Sequence, residues 1–253
     1  AGGVAPALAC GSGAAPLERR KGERVTGGAA AFGSFQIVSE VARGGQGAVY
    51  RALHGPSGRH VALKLLTDSN ARAVKRFRQE ARVLVRLQHP NVLRVIDHGE
   101  HEGTPYLATE LVEGSDLSKW VELHGLPPPQ ATARLLATIA LALEYCHGRG
   151  VVHRDVKPAN VLVEQGSGRP VLIDFGLVKR DASQMHLASL DASVMSANAN
   201  VKGTPGYMSP EQVNPKDFGE VGPRADVYGI GALLYFLLTG KAPFRSEERR
   251  VGK

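Results

Sequence analysis

The stretch His153-Arg154-Asp155-Val156-Lys157-Pro158-Ala159-Asn160 sets one carboxylate, one ammonium group and one amide within six residues, from Asp155 to Asn160. Each can do a different task. Asp155 can accept or orient a hydroxyl proton. Lys157 can neutralise negative charge that develops beside it. Asn160 can offer an amide oxygen to a hard cation. Val151–Val152 precede the stretch and Val161–Val163 follow it, so the spacing predicts a loop fixed between strand-like runs. A chance match of this length is negligible.

On the C-terminal side, Asp174-Phe175-Gly176 follows directly on the strand-like run Val171–Ile173. Asp174 is a second candidate oxygen ligand for the same cation, and Gly176 frees the backbone to begin a loop. The polar stretch Lys179–Asn200 has no apolar period and reads as a mobile loop. On the N-terminal side lies Val61-Ala62-Leu63-Lys64. Side chains alternate along a strand, so Ala62 and Lys64 share one face. A lysine in an apolar strand calls for a matching charge. Glu80 is the natural partner, because Phe77, Ala81, Leu84 and Leu87 give the predicted helix 70–87 one apolar face and Glu80 falls on it. A surface lysine and a surface glutamate are the bland alternative. Further upstream, Ala42-Arg43-Gly44-Gly45-Gln46-Gly47-Ala48-Val49 is a glycine-rich turn between strands, able to bring N–H groups close to phosphate oxygens. By itself such a turn is a weak signal.

Strand-like runs are expected at Phe35–Val41, Ala48–Leu53, His60–Leu66, Leu93–Asp97 and Pro105–Leu111, and apolar helices at Gln130–His147 and Ala225–Thr239. The 253 residues suit one large domain or two small ones, and 43% hydrophobic with 22% charged residues is the balance of a globular chain. No apolar run approaches the ~18 residues of a membrane span. Two cysteines, Cys10 and Cys146, lie in no paired pattern, which fits a reducing compartment. The net charge of +7 is scattered, so it predicts no nucleic-acid surface. Residues 1–33, rich in Gly, Ala and Pro, read as a flexible arm. Arg245–Lys253 has no apolar period and reads as a non-native tail.

Together these motifs resemble the eukaryotic-type serine/threonine protein kinases, including their bacterial members, over Phe35–Phe244. The resemblance implies an α+β, two-lobed fold. A small antiparallel β-lobe with one helix would occupy 34–113 and a mainly helical large lobe 114–244, left incomplete at its C-terminus. It implies ATP and Mg²⁺ as cofactors, proteins as substrates, no nucleic acid, and a cytoplasmic catalytic domain with any membrane anchor lying beyond this chain. It is also compatible with a homodimer through the small lobe.

Residue by residue, the resemblance implies that Lys64 bridges the nucleotide phosphates and pairs with Glu80. Asn160 and Asp174 would hold Mg²⁺. The loop of Ala42, Gly44 and Gly47 would cover the phosphates. The backbone from Glu110 to Val112 would bond adenine beside Thr109, with Val49, Ala62 and Leu162 enclosing the base. Leu84, Val95, His153 and Phe175 would stack as an internal spine anchored by Asp226. Lys157 looks like the serine/threonine branch. Gly203–Glu211 looks like the segment that receives an acceptor peptide, with Thr204 near Asp155 and Lys157, and it argues for protein rather than small-molecule acceptors. Arg154 would pair with a phosphorylated loop, for which Ser193 and Ser196 are the candidates among Ser183, Ser189, Ser193 and Ser196.

Two departures stand out. Ala42 occupies the place of the first loop glycine, and Ser-Pro-Glu at 209–211 replaces Ala-Pro-Glu. A nucleotide-binding scaffold without turnover would show loss of Lys64, Asp155, Asn160 or Asp174, and all four are present.

Overall fold

The computed structural model describes residues 30–44, 47–68, 70–175 and 205–244. Several expectations fall outside them: the arm up to 29, Gly45 and Gln46, Gly176, the loop serines, Gly203 and Thr204, and the tail 245–253. The described residues divide into two compact units. The first holds the chain up to Arg78, with Val95–Leu111 and Gly166–Gly168; the second holds Gln79–Arg94, Val112–Gln165 and the chain from Arg169.

The first unit is built on an antiparallel sheet. Its strands are β1 (Ala31–Phe32), β2 (Phe35–Gly44), β3 (Gly47–His54), β4 (Arg59–Leu66), β5 (Val95–His101) and β6 (Thr104–Glu110), in the order β1-β2-β3-β4-β6-β5. Alternation explains its core: Ala52, Val61, Leu63 and Ala108 point to one face and meet Phe35, with Tyr50, Leu65, Ile96 and Tyr106 packed around them. Phe35 stacks on His54 at 5.0 Å and meets Tyr106 edge-on at 5.2 Å. Gly47 is required by packing, since a Cβ there would lie 2.2 Å from the Leu65 carbonyl oxygen. Helix α1 (Ala71–Leu84) spans the division between the units and buries Phe77, Glu80, Ala81 and Leu84, the face its spacing predicts.

Of the boundaries that differ from the sequence reading, three have a plain physical cause. Strand β1 forms within the stretch whose composition suggested an arm, by pairing Phe32 with Phe35. Strand β5 starts at Val95, because the Leu93 N–H donates to the Leu172 carbonyl instead (2.9 Å). Helix α1 closes at Leu84, and Arg86 and Leu87 then bond back to Val83 and Leu84 in tighter turns.

The second unit is mainly helical. Helix α2 (Leu117–His124) is capped by Asp116, whose Oδ1 accepts the Lys119 N–H at 3.0 Å. Helix α3 (Pro129–His147) buries Leu135, Leu136, Ile139, Ala142, Leu143 and Cys146, a spacing that lines one helix face. Burial pushes the Cys146 thiol up to about 12. A small sheet is formed by β7 (Gly114–Asp116), β8 (Val161–Glu164) and β9 (Pro170–Leu172). Strand β8 follows directly on His153–Asn160, but Val151–Val152, expected as a strand-like run before it, is not a strand, its Val151 N–H turning back to the Cys146 carbonyl (3.0 Å). Two short helices follow, α4 (Pro210–Val213) and α5 (Pro215–Phe218), and then α6 (Pro223–Thr239). Helix α6 buries Ala225, Asp226, Gly229, Ala232, Leu233 and Leu237, and ends at Gly240 in the left-handed region. Its opposite side leaves Val227, Leu234, Tyr235 and Leu238 exposed. Gly229 lets the loop approach closely, for a Cβ there would lie 2.6 Å from the Val156 Cβ.

Candidate active site

In the second unit the loop from His153 to Asn160 is held by side chains from distant elements. Asp226, on α6 and 1% exposed, accepts the backbone N–H of His153 at Oδ2 (2.8 Å) and that of Arg154 at Oδ1 (2.7 Å). His147, at the end of α3, reaches the same Oδ2 at 2.7 Å. A buried carboxylate is tolerated here because its oxygens are met by donors. Arg154 takes a left-handed backbone, φ 64°, and Asp174 does so too at φ 51°. A non-glycine residue in that region stores strain that the surroundings must hold.

His153 is fully buried and serves as an internal strut. Its Nδ1 accepts the Asp155 N–H (3.3 Å), and its Nε2 faces the Ile173 carbonyl (3.0 Å), so it carries its proton on Nε2. Burial holds its pKa below the usual value, partly offset by the carboxylates of Asp226, Asp155 and Asp174. Its ring lies 4.5 Å from that of Phe175, joining two of the four residues expected to stack.

Three of the predicted residues converge on one atom. The Asp155 Oδ2 accepts Lys157 Nζ (2.9 Å) and Asn160 Nδ2 (2.9 Å), and Asn160 Nδ2 also donates to the Asp155 carbonyl (2.8 Å). Lys157 and Asp155 are mostly buried, so their ion pair is less screened than a surface pair. Asn160 is 5% exposed, and among the described residues none donates to its Oδ1. That orphaned buried amide oxygen suits a hard cation. Asp174, exposed at the start of the polar segment, is a second oxygen donor in the same unit. The described residues hold no group of three or more His, Cys, Asp or Glu that could cage a metal. A donor set this sparse fits Mg²⁺, which keeps waters and shares phosphate oxygens with a substrate rather than sitting in an all-protein cage.

In the first unit the pleat sorts the other candidates. Val49 stands opposite Lys64, and Ala62 opposite Thr109. Ala62 and Lys64 are two residues apart, so all four side chains share one face of the sheet, the face away from the Val61–Leu63 core. Thr109 is buried and its Oγ1 donates to the Glu110 carbonyl at 3.2 Å. Ala42 and Gly44 lie on β2, opposite Val49 and Gly47. Glu110 ends β6, while Val112, Leu162 and Glu80 belong to the second unit.

The sequence reading missed His147 and Gln212. Gln212, on α4, donates from Nε2 to the Arg154 carbonyl at 2.6 Å. The Ser209-x-x-Gln212 spacing marks a capping box, which signals the start of a helix but not a reach to a residue 58 positions away. Nothing local marks His147.

An antiparallel β unit with a lysine-bearing face and a helical unit whose loop gathers Asp155, Lys157 and Asn160 together define the class of the protein kinases. The sequence pattern of the protein kinase domain matches residues 35–252. The chain belongs to the protein kinase family and has its two-lobed fold. It is similar to the serine/threonine-protein kinase PknL of Mycobacterium tuberculosis, 38% identical over 216 residues; these are 84% of this chain and 51% of that protein, so the chain spans about half the length of that curated relative. The PknI kinase domain of M. tuberculosis has a similar structure, with a TM-score of 0.64 and 28% identity, covering 86% of this chain and 77% of the other. Rad53 residues 1–466, solved in complex with AMP-PNP, is similar at a TM-score of 0.65 and 28% identity, covering 84% of this chain and 50% of that one.

Proposed function

We propose that the chain transfers the γ-phosphoryl group of ATP to serine and threonine hydroxyls of proteins. The observation that carries this reading is the convergence of Lys157 and Asn160 on one oxygen of Asp155. The two donors fix the Asp155 carboxylate where it can orient an incoming hydroxyl and receive its proton. Lys157, already beside that carboxylate, can shift its charge toward the transferred group as the β–γ bond breaks and the new O–P bond forms, leaving ADP. Asn160 through Oδ1 and Asp174 through its carboxylate would hold Mg²⁺, which supplies charge neutralisation for the phosphate oxygens.

Lys64 is assigned the α- and β-phosphates, with Glu80 as its partner. The loop of Ala42, Gly44 and Gly47 is assigned to cover the phosphates. Val49, Ala62 and Leu162 are assigned to adenine, with Thr109, Glu110 and Val112 along its polar edge. Thr204 is assigned to acceptor positioning. Arg154 is assigned to a phosphoserine formed by autophosphorylation at Ser193 or Ser196. ATP supply places the reaction in the cytoplasm. The shared sheet face of Val49, Ala62, Lys64 and Thr109 supports the nucleotide assignments, and the names of the relatives support the serine/threonine class.

The test is incubation with Mg²⁺, γ-labelled ATP and an acceptor protein, followed by phosphoamino-acid analysis. Phosphoserine and phosphothreonine that disappear when the metal is chelated are expected. Bound nucleotide without any labelled protein would instead leave a nucleotide-binding scaffold.

A further inference from the structure

We propose that Gln212 is a positioning residue for the transfer step: its amide fixes the peptide unit that carries Asp155. This rests on the phosphotransfer reading above. The backbone at Arg154 is left-handed, φ 64°, a conformation that a side-chain-bearing residue keeps only under restraint. The restraint comes from both sides. Asp226 takes the N–H groups of His153 and Arg154. Gln212 Nε2 takes the Arg154 carbonyl at 2.6 Å. That carbonyl belongs to the same peptide unit as the Asp155 N–H, which is held by His153 Nδ1 at 3.3 Å. The plane leading into Asp155 is thus pinned at its oxygen by Gln212 and at its nitrogen by His153. Turning that plane would swing the carboxylate that Lys157 and Asn160 address.

The Gln212 amide has only one workable orientation. Its Oε1 accepts the Ser209 N–H at 3.0 Å, and the Ser209 hydroxyl lies 3.3 Å from the same oxygen. Its nitrogen must then face the carbonyl. An amide is the group that can accept from Ser209 and donate to Arg154 at once. A glutamate could keep the cap on Ser209, as in a Ser-x-x-Glu box, but could not donate to the loop. This separates the two tasks of Gln212, stabilising the start of α4 and holding the loop.

The experiment compares wild type, Gln212→Glu and Gln212→Ala in the full chain. It measures kcat and KM for ATP, the thermal unfolding midpoint, and amide exchange by mass spectrometry in the peptide spanning Val151–Asn160. Gln212→Glu keeps the cap on Ser209 but sets a carboxylate oxygen against the Arg154 carbonyl, so its unfolding midpoint falls as well. Its kcat falls about tenfold while KM for ATP stays within about twofold, the signature of lost alignment rather than lost binding. Exchange at Arg154 and Asp155 speeds by about tenfold. Gln212→Ala shows the same losses with a lower midpoint. Unchanged kcat and unchanged exchange in both variants would overturn the proposal, as would a raised KM at constant kcat. If wild type transfers no phosphate, the function reading fails, and exchange alone still decides whether Gln212 holds the loop.

Discussion

Lys64 sits in the middle of β4, with Val49 across from it on one side and Leu107 on the other, so its direction follows from a backbone ladder that any residue could join. Asp155 sits in a loop whose backbone groups from His153 to Asp155 are met by side chains: Asp226 accepts two N–H groups and His153 one, while Gln212 and Asn160 each donate to one carbonyl. The strand therefore aims its functional side chain by local alternation. The loop aims its own by specific residues far along the chain. Side-chain changes around the strand should leave its geometry in place, whereas changes around the loop should move it.

The largest effect is expected for Asp226→Ala. It orphans the buried N–H groups of His153 and Arg154 and removes the partner of His147, at a cost of about 3 kcal/mol measured by denaturant unfolding. A cost below about 1 kcal/mol would mean the loop holds itself as the strand does, and the contrast would break. Gly229→Ala comes next. Its new methyl would meet the Val156 Cβ at 2.6 Å and push α6 from the loop, costing about 2 kcal/mol. Adding Val156→Gly, which removes that Cβ, should recover part of the loss, and strict additivity of the two changes would refute the contact. The smallest effect is expected on the strand side. Thr109→Val removes a hydroxyl whose acceptor, the Glu110 carbonyl, is a backbone group, so stability should shift by less than about 1 kcal/mol. A larger shift would show that side chains, too, hold this sheet face in place.

The same contrast explains what was legible. The alternation in Val61–Lys64 and the apolar spacing of α3 and α6 are local patterns, and the elements appear where those patterns stand. The gathering of Asp155, Lys157 and Asn160 was legible because they lie within six residues. Gln212 and His147 were not, since each acts through a contact 58 or 79 positions away. Leu93 reads as a strand residue from its apolar side chain, yet its N–H pairs with Leu172, a choice that only the tertiary fold makes. Gly47 reads as a phosphate-loop glycine, but the space left by the Leu65 carbonyl demands glycine whatever the ligand. Helix α2 is only 8 residues long and carries a weak pattern, and its Asp116 cap was the signal available.

The most direct test of the central claim measures nucleotide affinity and phosphoryl transfer side by side in wild type and Asp155→Asn. Affinity within about threefold of wild type is expected, because Asp155 is assigned to the acceptor rather than to the nucleotide, with transfer lower by about 10³-fold. Transfer within about tenfold of wild type would contradict it, and would remove Asp155 from the centre of the chemistry.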